Sequence, residues 1–292
     1  MYGGEKVIEA TWRLCVEVFR TEKYPRDWAR GLIFPIFKGG PKELTHNPLK
    51  YRGITLLSVL GKIYTAVLNE RVTAWAETQK ILVEEQAGFR KGRSTIDQLF
   101  ILTETIRNRR KKVTYCCFID VQKAYDRVWR DGLWEKLHEY GVRGRMWRVL
   151  RNIYECVESS VLVGDACSRF FQIDVGVRQG CLLSPILFAL YINGLAEELK
   201  KANLGAKIVQ YDEEQIGILM FADDIGLVSD QKKQLEELMK RTFEYSLKWR
   251  FSFNYDKCAV VIFDHRPNVP KINHGDCVQE CKCGFHWKLG ID

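Results

Sequence analysis

Residues 113–121 make a β-type run that is apolar on both faces, with Cys116, Cys117, Phe118 and Ile119 in succession, and it closes on a carboxylate, Asp120. Such a run predicts a buried strand, and a buried strand normally excludes a charge. The same anomaly recurs further on. Two short apolar runs, residues 216–222 and 225–229, have only Asp223 and Asp224 between them, which predicts a hairpin with acids at its tip. An Asp pair taken alone reads first as an ordinary turn, because Asp is a favoured turn residue.

Carboxylates in apolar surroundings are costly unless they are paired or bound to metal. Three of them at strand ends point to a cation as the compensation. Oxygen donors of this kind suit Mg²⁺, with Mn²⁺ as an alternative. Mg²⁺ keeps several waters and is commonly held by one or two carboxylates together with substrate phosphates.

Around these runs the chain alternates strands and helices. Val7, Ile8, Trp12, Cys15, Val16 and Phe19 recur at helical spacing and predict an amphipathic helix over residues 6–20, broken at Pro25 and followed by a short strand over 32–37. Helices are predicted over 57–76 and 94–109, the second with Ser94 as N-cap and Asp97 at N3. Next come a helix from about residue 134, a strand-turn-strand over 161–177 and a helix over 184–199 with Pro185 in its first turn. A helix over 233–249 and a strand over 259–263 complete the pattern. The resulting fold class is α+β, an antiparallel sheet covered by helices on one face.

Composition narrows the class. With 292 residues, 46% hydrophobic and 28% charged, the chain can bury a sizeable core, and its Gly and Pro content is too low for a disordered or fibrous protein. No repeat and no Pro-, Gly- or Ser-rich linker divides it. The net charge is +8, and the excess lies in residues 1–120, with 21 basic against 13 acidic residues there and 24 of each beyond. A positive N-terminal part suits a polyanion, while solubility alone also accounts for a charge of that size. The ten cysteines sit mostly in apolar runs, as small hydrophobes of a reducing compartment. The first residues carry no signal-peptide pattern and no run of 18 apolar residues occurs, so neither secretion nor a membrane span is expected.

Phe221-Ala222-Asp223-Asp224, following Phe118-Ile119-Asp120-Val121-Gln122-Lys123-Ala124-Tyr125-Asp126, resembles the palm signature of reverse transcriptases, and in particular of the non-LTR (LINE-type) retrotransposon branch. Phe221 stands where retroviral members carry Tyr, as is common in that branch. Other blocks resemble the family in its own order. Tyr51-Arg52-Gly53-Ile54-Thr55-Leu56-Leu57-Ser58 looks like a fingers motif, and the block from Val177 to Phe188, with Arg178-Gln179-Gly180 in it, like the glycine-bearing palm motif. Gln86-Ala87-Gly88-Phe89-Arg90 and Phe253-Asn254-Tyr255-Asp256-Lys257 match two more. The resemblance runs from about residue 24 to about residue 290.

The resemblance implies the fingers and palm of a right-hand polymerase, with residues 1–112 as fingers, 113–292 as palm and the thumb absent. It implies RNA-directed DNA polymerase activity, a nucleotidyl transfer from deoxynucleoside triphosphates to the 3′-hydroxyl of a DNA primer on an RNA template. In a two-metal mechanism of this kind, carboxylates must reach both ions. By resemblance Asp120 and Asp223 are the bridging pair, Asp224 is the third acid, and Lys257 is a proton donor to pyrophosphate. Tyr125 is the sugar-discriminating aromatic, with a plain core aromatic as the alternative. Gln179 and Gly180 lie beside nucleotide and template, and Arg52 and Lys38 grip the triphosphate. Lys38 reads equally as a template contact or an exposed lysine.

The resemblance also points to the nucleus, and to a fragment of a longer element, since the chain stops just after Trp287-Lys288-Leu289-Gly290, which resembles a primer-grip turn. Two other readings remain, a catalytically silent nucleic-acid-binding remnant and a palm polymerase that makes RNA. The charge run from Arg107 to Lys112 reads as a solvated loop, with a nucleic-acid patch as the alternative. Cys277, Cys281, Cys283 and His286 are metal-capable, but their spacing is not the paired C-x₂-C of a structural zinc site.

Overall fold

A computed structural model describes residues 4–109, 112–207 and 215–264. The first half runs α1 (Gly4–Thr21), α2 (Arg26–Ala29), β1 (Arg30–Phe37), β2 (Tyr51–Leu57), α3 (Val59–Thr78), α4 (Thr95–Asn108), β3 (Thr114–Asp120), α5 (Arg130–Glu139) and α6 (Gly144–Asn152). The second half runs β4 (Glu158–Val163), β5 (Ala166–Cys167), β6 (Phe171–Gln172), α7 (Ser184–Lys201), β7 (Ala206–Lys207), β8 (Gln215–Ile216), β9 (Ile218–Phe221), β10 (Asp224–Ser229), α8 (Lys232–Lys248) and β11 (Ala259–Phe263).

Local chemistry explains most of these boundaries. Ser94 caps α4 reciprocally: its Oγ accepts from the Asp97 N–H at 3.3 Å, and its own N–H donates to Asp97 Oδ2 at 2.7 Å, which satisfies two donors at once. Ser58 caps α3 through the Gly61 N–H. Along α3 the buried residues Gly61, Tyr64, Thr65, Leu68, Val72 and Ala76 keep helical spacing. The helix α7 is apolar on nearly every side and buried along most of its length, with Leu187, Leu190 and Leu195 in the core.

Several elements differ from the sequence expectation, and the strand-turn-strand expected over 161–177 is instead β4 with two short partners, β5 and β6, ending at Gln172. α5 starts at Arg130 rather than near 134, because its first turn carries Arg130, Asp131 and Gly132 and its apolar residues begin only at Leu133. α6 lies outside the expected helices, although Met146, Trp147, Val149 and Leu150 share one helical face and Arg145, Arg148 and Arg151 the other. Arg148 forms a bidentate pair with Glu22 at 2.6 and 2.7 Å. β2 alternates half-buried and exposed residues around Gly53 and is recognisable as a strand only by its pairing with β1.

Contacts divide the chain into two compact units. The first holds the described residues up to Gln79 together with Val128–Leu187. Its sheet has the order β2-β1-β4-β5, with β6 also on β4. β1 is antiparallel to β2 from Gly31↔Leu57 to Phe37↔Tyr51, and parallel to β4 from Arg30↔Glu158 to Ile33↔Val161. Pro35 lies beyond the last β4 partner, where β1 has a neighbour on one side only, a placement that tolerates a residue with no N–H. Arg26 and Arg30 both reach Glu158 at 3.0 Å and hold its carboxyl below the usual range.

The second unit holds Lys80–Arg127 and the described residues from Phe188 on. Its main sheet, β11-β3-β10-β9, is antiparallel throughout, and β7 pairs with β8 separately. α8 packs on β10 and β3, and α4 on β9. On one face Cys116, Leu219 and Val228 pack with Ile101 and Leu102 of α4. On the other face Cys117, Ile119, Ile225 and Leu227 are 0–3% exposed. Burial on both faces goes beyond the expected one-sided cover and explains why β3 is apolar on both sides.

In the charge run expected as a solvated loop, Arg107 and Lys112 are exposed, but one residue is not. Arg109 is 4% exposed and donates to Thr114 Oγ1 at 3.1 Å, Lys207 O at 3.1 Å and Val113 O at 3.2 Å. The cysteine cluster at 277–286 and the turn at 287–290 lie outside the described residues. Among the described residues no helix is long and apolar enough to cross a membrane.

Candidate active site

β3 lies between β10 and β11, so two neighbours deliver side chains to its end. In the β3–β10 ladder Asp224 is the direct partner of Asp120. Opposed residues share a face, which sets the two carboxylates side by side at one corner of the sheet. Asp223 is adjacent, in the two-residue turn with Ala222 that joins β9 to β10. The hairpin tip therefore carries Asp223, while Asp224 already belongs to a strand.

On the other flank of β3 the pairing continues past the strand end. Val121 bridges Phe253, the Gln122 N–H donates to Ser252 O at 2.8 Å, and the Asn254 N–H donates to Asp120 O at 2.8 Å. The following turn, closed by the Lys257 N–H on Asn254 O at 2.9 Å, brings Lys257 Nζ to 3.2 Å from Asp120 Oδ1. Asp120 is 26% and Lys257 65% exposed at the side chain, so water reaches both groups and their attraction is modest.

The corner is electrostatically loaded. Burial first, and the negative charges of Asp224 and Asp120 with it, hold the Asp223 carboxyl above the usual carboxylate range, offset in part by a backbone hydrogen bond and less by Lys257. Asp224 is raised in the same way, by burial first and by Asp120 second. Desolvated carboxylates that repel one another gain by binding a cation. Among the described residues no three His, Cys, Asp or Glu side chains form a ready-made metal cage. The oxygen donor set fits a hard divalent ion held by one or two carboxylates, with water and phosphate completing its shell.

Tyr125 follows β3 in a turn. Its ring stacks on Phe188 at 5.4 Å, and Phe89 meets it edge-on at 6.4 Å. Burial, and the charge of Asp223 after it, push its hydroxyl pKa up. An apolar cleft of about 470 Å³ adjoins the carboxylates, lined by Leu99, Leu102, Phe118 and Phe221 as well as Asp120 and Lys257.

Arg52, Lys38, Gln179 and Gly180 belong to the first unit, and Asp120, Asp223, Asp224, Tyr125 and Lys257 to the second. Arg52 pairs with Ile36 across the β1–β2 ladder. Lys38, at the open end of that ladder, donates its N–H to Lys50 O at 2.8 Å and its Nζ to Leu49 O at 3.4 Å. Gly180 has φ +98°, and a Cβ there would come within 2.7 Å of Thr55 O, so glycine is required on both counts. Arg178 positions this segment by donating to Trp28 O at 2.9 Å and Arg30 O at 3.1 Å.

Sequence reasoning quoted Arg178 and Gln86 within their motifs but gave neither a role. Gln86 is buried and bonds the backbone of Ala222 in the β9–β10 turn. The available signal was a polar residue whose side chain serves no obvious surface.

Residues 39–283 match the family described as reverse transcriptase (RNA-dependent DNA polymerase). The chain is 27% identical over 87% of its length to a probable RNA-directed DNA polymerase from transposon X-element of Drosophila melanogaster, covering 27% of that protein. It is 27% identical over 84% of its length to the RNA-directed DNA polymerase from mobile element jockey of Drosophila funebris, again covering 27% of it. It thus spans about a quarter of the length of these curated relatives, which come from non-LTR retrotransposons. Among solved structures it is similar to an apo telomerase from Candida tropicalis, with a TM-score of 0.57 and 16% identity over 84% of this chain and 52% of that one. That likeness is one of fold. With the family matched across most of its length and two of its acids paired on adjacent strands, the chain belongs to the reverse transcriptase family.

Proposed function

We propose that this chain is the polymerising part of a retrotransposon RNA-directed DNA polymerase. It transfers a nucleotidyl group from a deoxynucleoside triphosphate to the 3′-hydroxyl of a DNA primer on an RNA template and releases pyrophosphate. The observation that carries the reading is the ladder pairing of Asp120 with Asp224, with Asp223 in the adjoining turn. Mg²⁺ or Mn²⁺ bound there would supply the charge neutralisation that in-line phosphoryl transfer needs.

The chain's own residues do the rest in this scheme. Asp120, Asp223 and Asp224 would hold the cations. Lys257, beside Asp120, gives a proton to the leaving pyrophosphate as general acid. Tyr125, braced by Phe89 and Phe188, crowds a 2′-hydroxyl and selects deoxynucleotides. Arg52 and Lys38 grip phosphate oxygens, and Gln179 and Gly180 line the nucleotide and template. Residues 113–292 act as palm, and residues 1–112, with the β1–β2 hairpin, as fingers.

The test is extension of a DNA primer on an RNA template with Mg²⁺ and deoxynucleotides, beside Asp223→Asn and a template-binding control. Extension by the parent and none by the variant is the expected result. Binding by both with extension by neither would overturn the reading in favour of a silent remnant.

A further inference from the structure

Gln86 is fully buried, and its side-chain bonds converge on one turn. Its Oε1 accepts from the Ala222 N–H at 2.9 Å and the Gly88 N–H at 2.8 Å, and its Nε2 donates to Ala222 O at 3.2 Å. One amide thus satisfies both backbone groups of the residue immediately before Asp223. Ala222 has φ +58°, a left-handed conformation that a Cβ disfavours and that is normally left to glycine.

The surrounding segment is built to hold that contact. The Ala87 N–H donates to Met220 O and the Met220 N–H to Glu85 O, both at 2.9 Å, so residues 85–87 run along the edge of β9. A Cβ on Gly88 would lie 2.1 Å from Ala222 N, so no other residue admits the same approach. Arg90 pins the loop by donating to Val83 O at 2.8 Å and Gln86 O at 3.1 Å. Phe89, between Gly88 and Arg90, is the residue that braces Tyr125.

We infer that Gln86 and Gly88 form a latch that keeps Ala222 in its left-handed turn and so sets the position of Asp223. Gln86 is a positioning residue, acting through Ala222 and touching no substrate. Its effect on turnover rests on the polymerase reading, whereas its effect on the turn does not. An apolar side chain in its place would leave the Ala222 N–H and C=O buried and unpaired, and the turn would relax. Gly at 222 removes the Cβ penalty and restores part of what the latch provides.

The test compares the parent with Gln86→Met, Gln86→Met/Ala222→Gly and Gln86→Glu by three readouts. These are amide exchange over residues 218–226, Mn²⁺ affinity by electron paramagnetic resonance, and the split of primer extension into kcat and KM. For Gln86→Met the expected result is faster exchange confined to that segment, Mn²⁺ affinity and kcat each lower by about ten- to a hundredfold, and an unchanged KM for nucleotide. Ala222→Gly in that background should recover part of the loss. A folded Gln86→Met with parental exchange, Mn²⁺ affinity and kcat would overturn the latch. Should Gln86→Met fail to fold, Gln86→Glu, which keeps the acceptor, decides by the same readouts. If the parent itself extends no primer the polymerase reading fails, and exchange and Mn²⁺ affinity still decide the latch.

Discussion

Asp120 and Asp224 are direct partners in the β3–β10 ladder although they lie far apart in sequence. Their closeness comes from strand register, and a slip of one residue would turn one of them to the opposite face. Buried neighbours in that ladder, Ile119 with Ile225 and Cys117 with Leu227, oppose such a slip. The apolar pairs therefore fix the geometry of the acids.

Asp223→Asn should lower extension by about a thousandfold, the loss of several kcal/mol of charge stabilisation. Its effect on stability has the opposite sign. The Asp223 carboxyl titrates above the usual range in the folded protein, so the folded state holds that proton more tightly than the unfolded chain. The stability this provides is complete below about pH 4, the ordinary aspartate value, and is lost as pH rises through the folded-state value. In metal-free buffer at neutral pH the variant should therefore melt higher than the parent, and the gap should close on acidification. Thermal unfolding with a chelator from pH 4 to 8 reads this directly, and a variant that melts lower at neutral pH would contradict it.

Replacing Tyr125 by Ala should admit ribonucleotides, reducing discrimination by about ten- to a hundredfold, because the ring braced by Phe89 and Phe188 is removed. The same change should cost about 2–3 kcal/mol of stability, less than a fully buried aromatic. Tyr125→Phe keeps the ring and should keep the discrimination. Competitive incorporation of ribo- and deoxynucleotides by the three proteins checks the assignment.

Lys257→Met should leave stability within about 1 kcal/mol of the parent, since its pair with Asp120 is exposed. A general acid contributes far more to rate, and extension should fall by about a hundredfold or more with template binding unchanged. Single-turnover kinetics at saturating nucleotide would expose the alternative, in which only KM moves.

Arg109→Met is expected to be among the most damaging changes away from the acids. The buried guanidinium serves Thr114, Val113 and Lys207 and lies 3.7 Å from Asp230. Its loss leaves those carbonyls and a carboxylate uncompensated, at a cost of about 3 kcal/mol. Denaturant unfolding of the variant should show that loss, and a shift under 1 kcal/mol would mean that water replaces the side chain.

Much of the molecule was legible from the chain itself because it is written in local chemistry. Ser94 and Asp97 announce the start of α4, the apolar runs announce β3, β9 and β10, and the acids that interrupt them mark the site. What was not legible is what distant residues do for one another. α5 and α6 begin without capping side chains, and Arg145 and Arg148 of α6 find their partner in the distant Glu22. β2 is a strand by virtue of β1. Arg109 read as surface charge until β7 and the start of β3 enclosed it.

The sequence by itself marked the acids as candidates, since a carboxylate at the end of an apolar strand is costly wherever that strand lies, and the family resemblance gave them their expected roles. Only the tertiary structure decided how they are held. Register placed Asp224 against Asp120, and a buried amide from a separate segment, Gln86, took up the backbone of Ala222 beside Asp223. The physical reason is that a hydrogen bond or a ladder pair leaves no trace in the spacing of either partner alone. It exists only where folding has brought the two together.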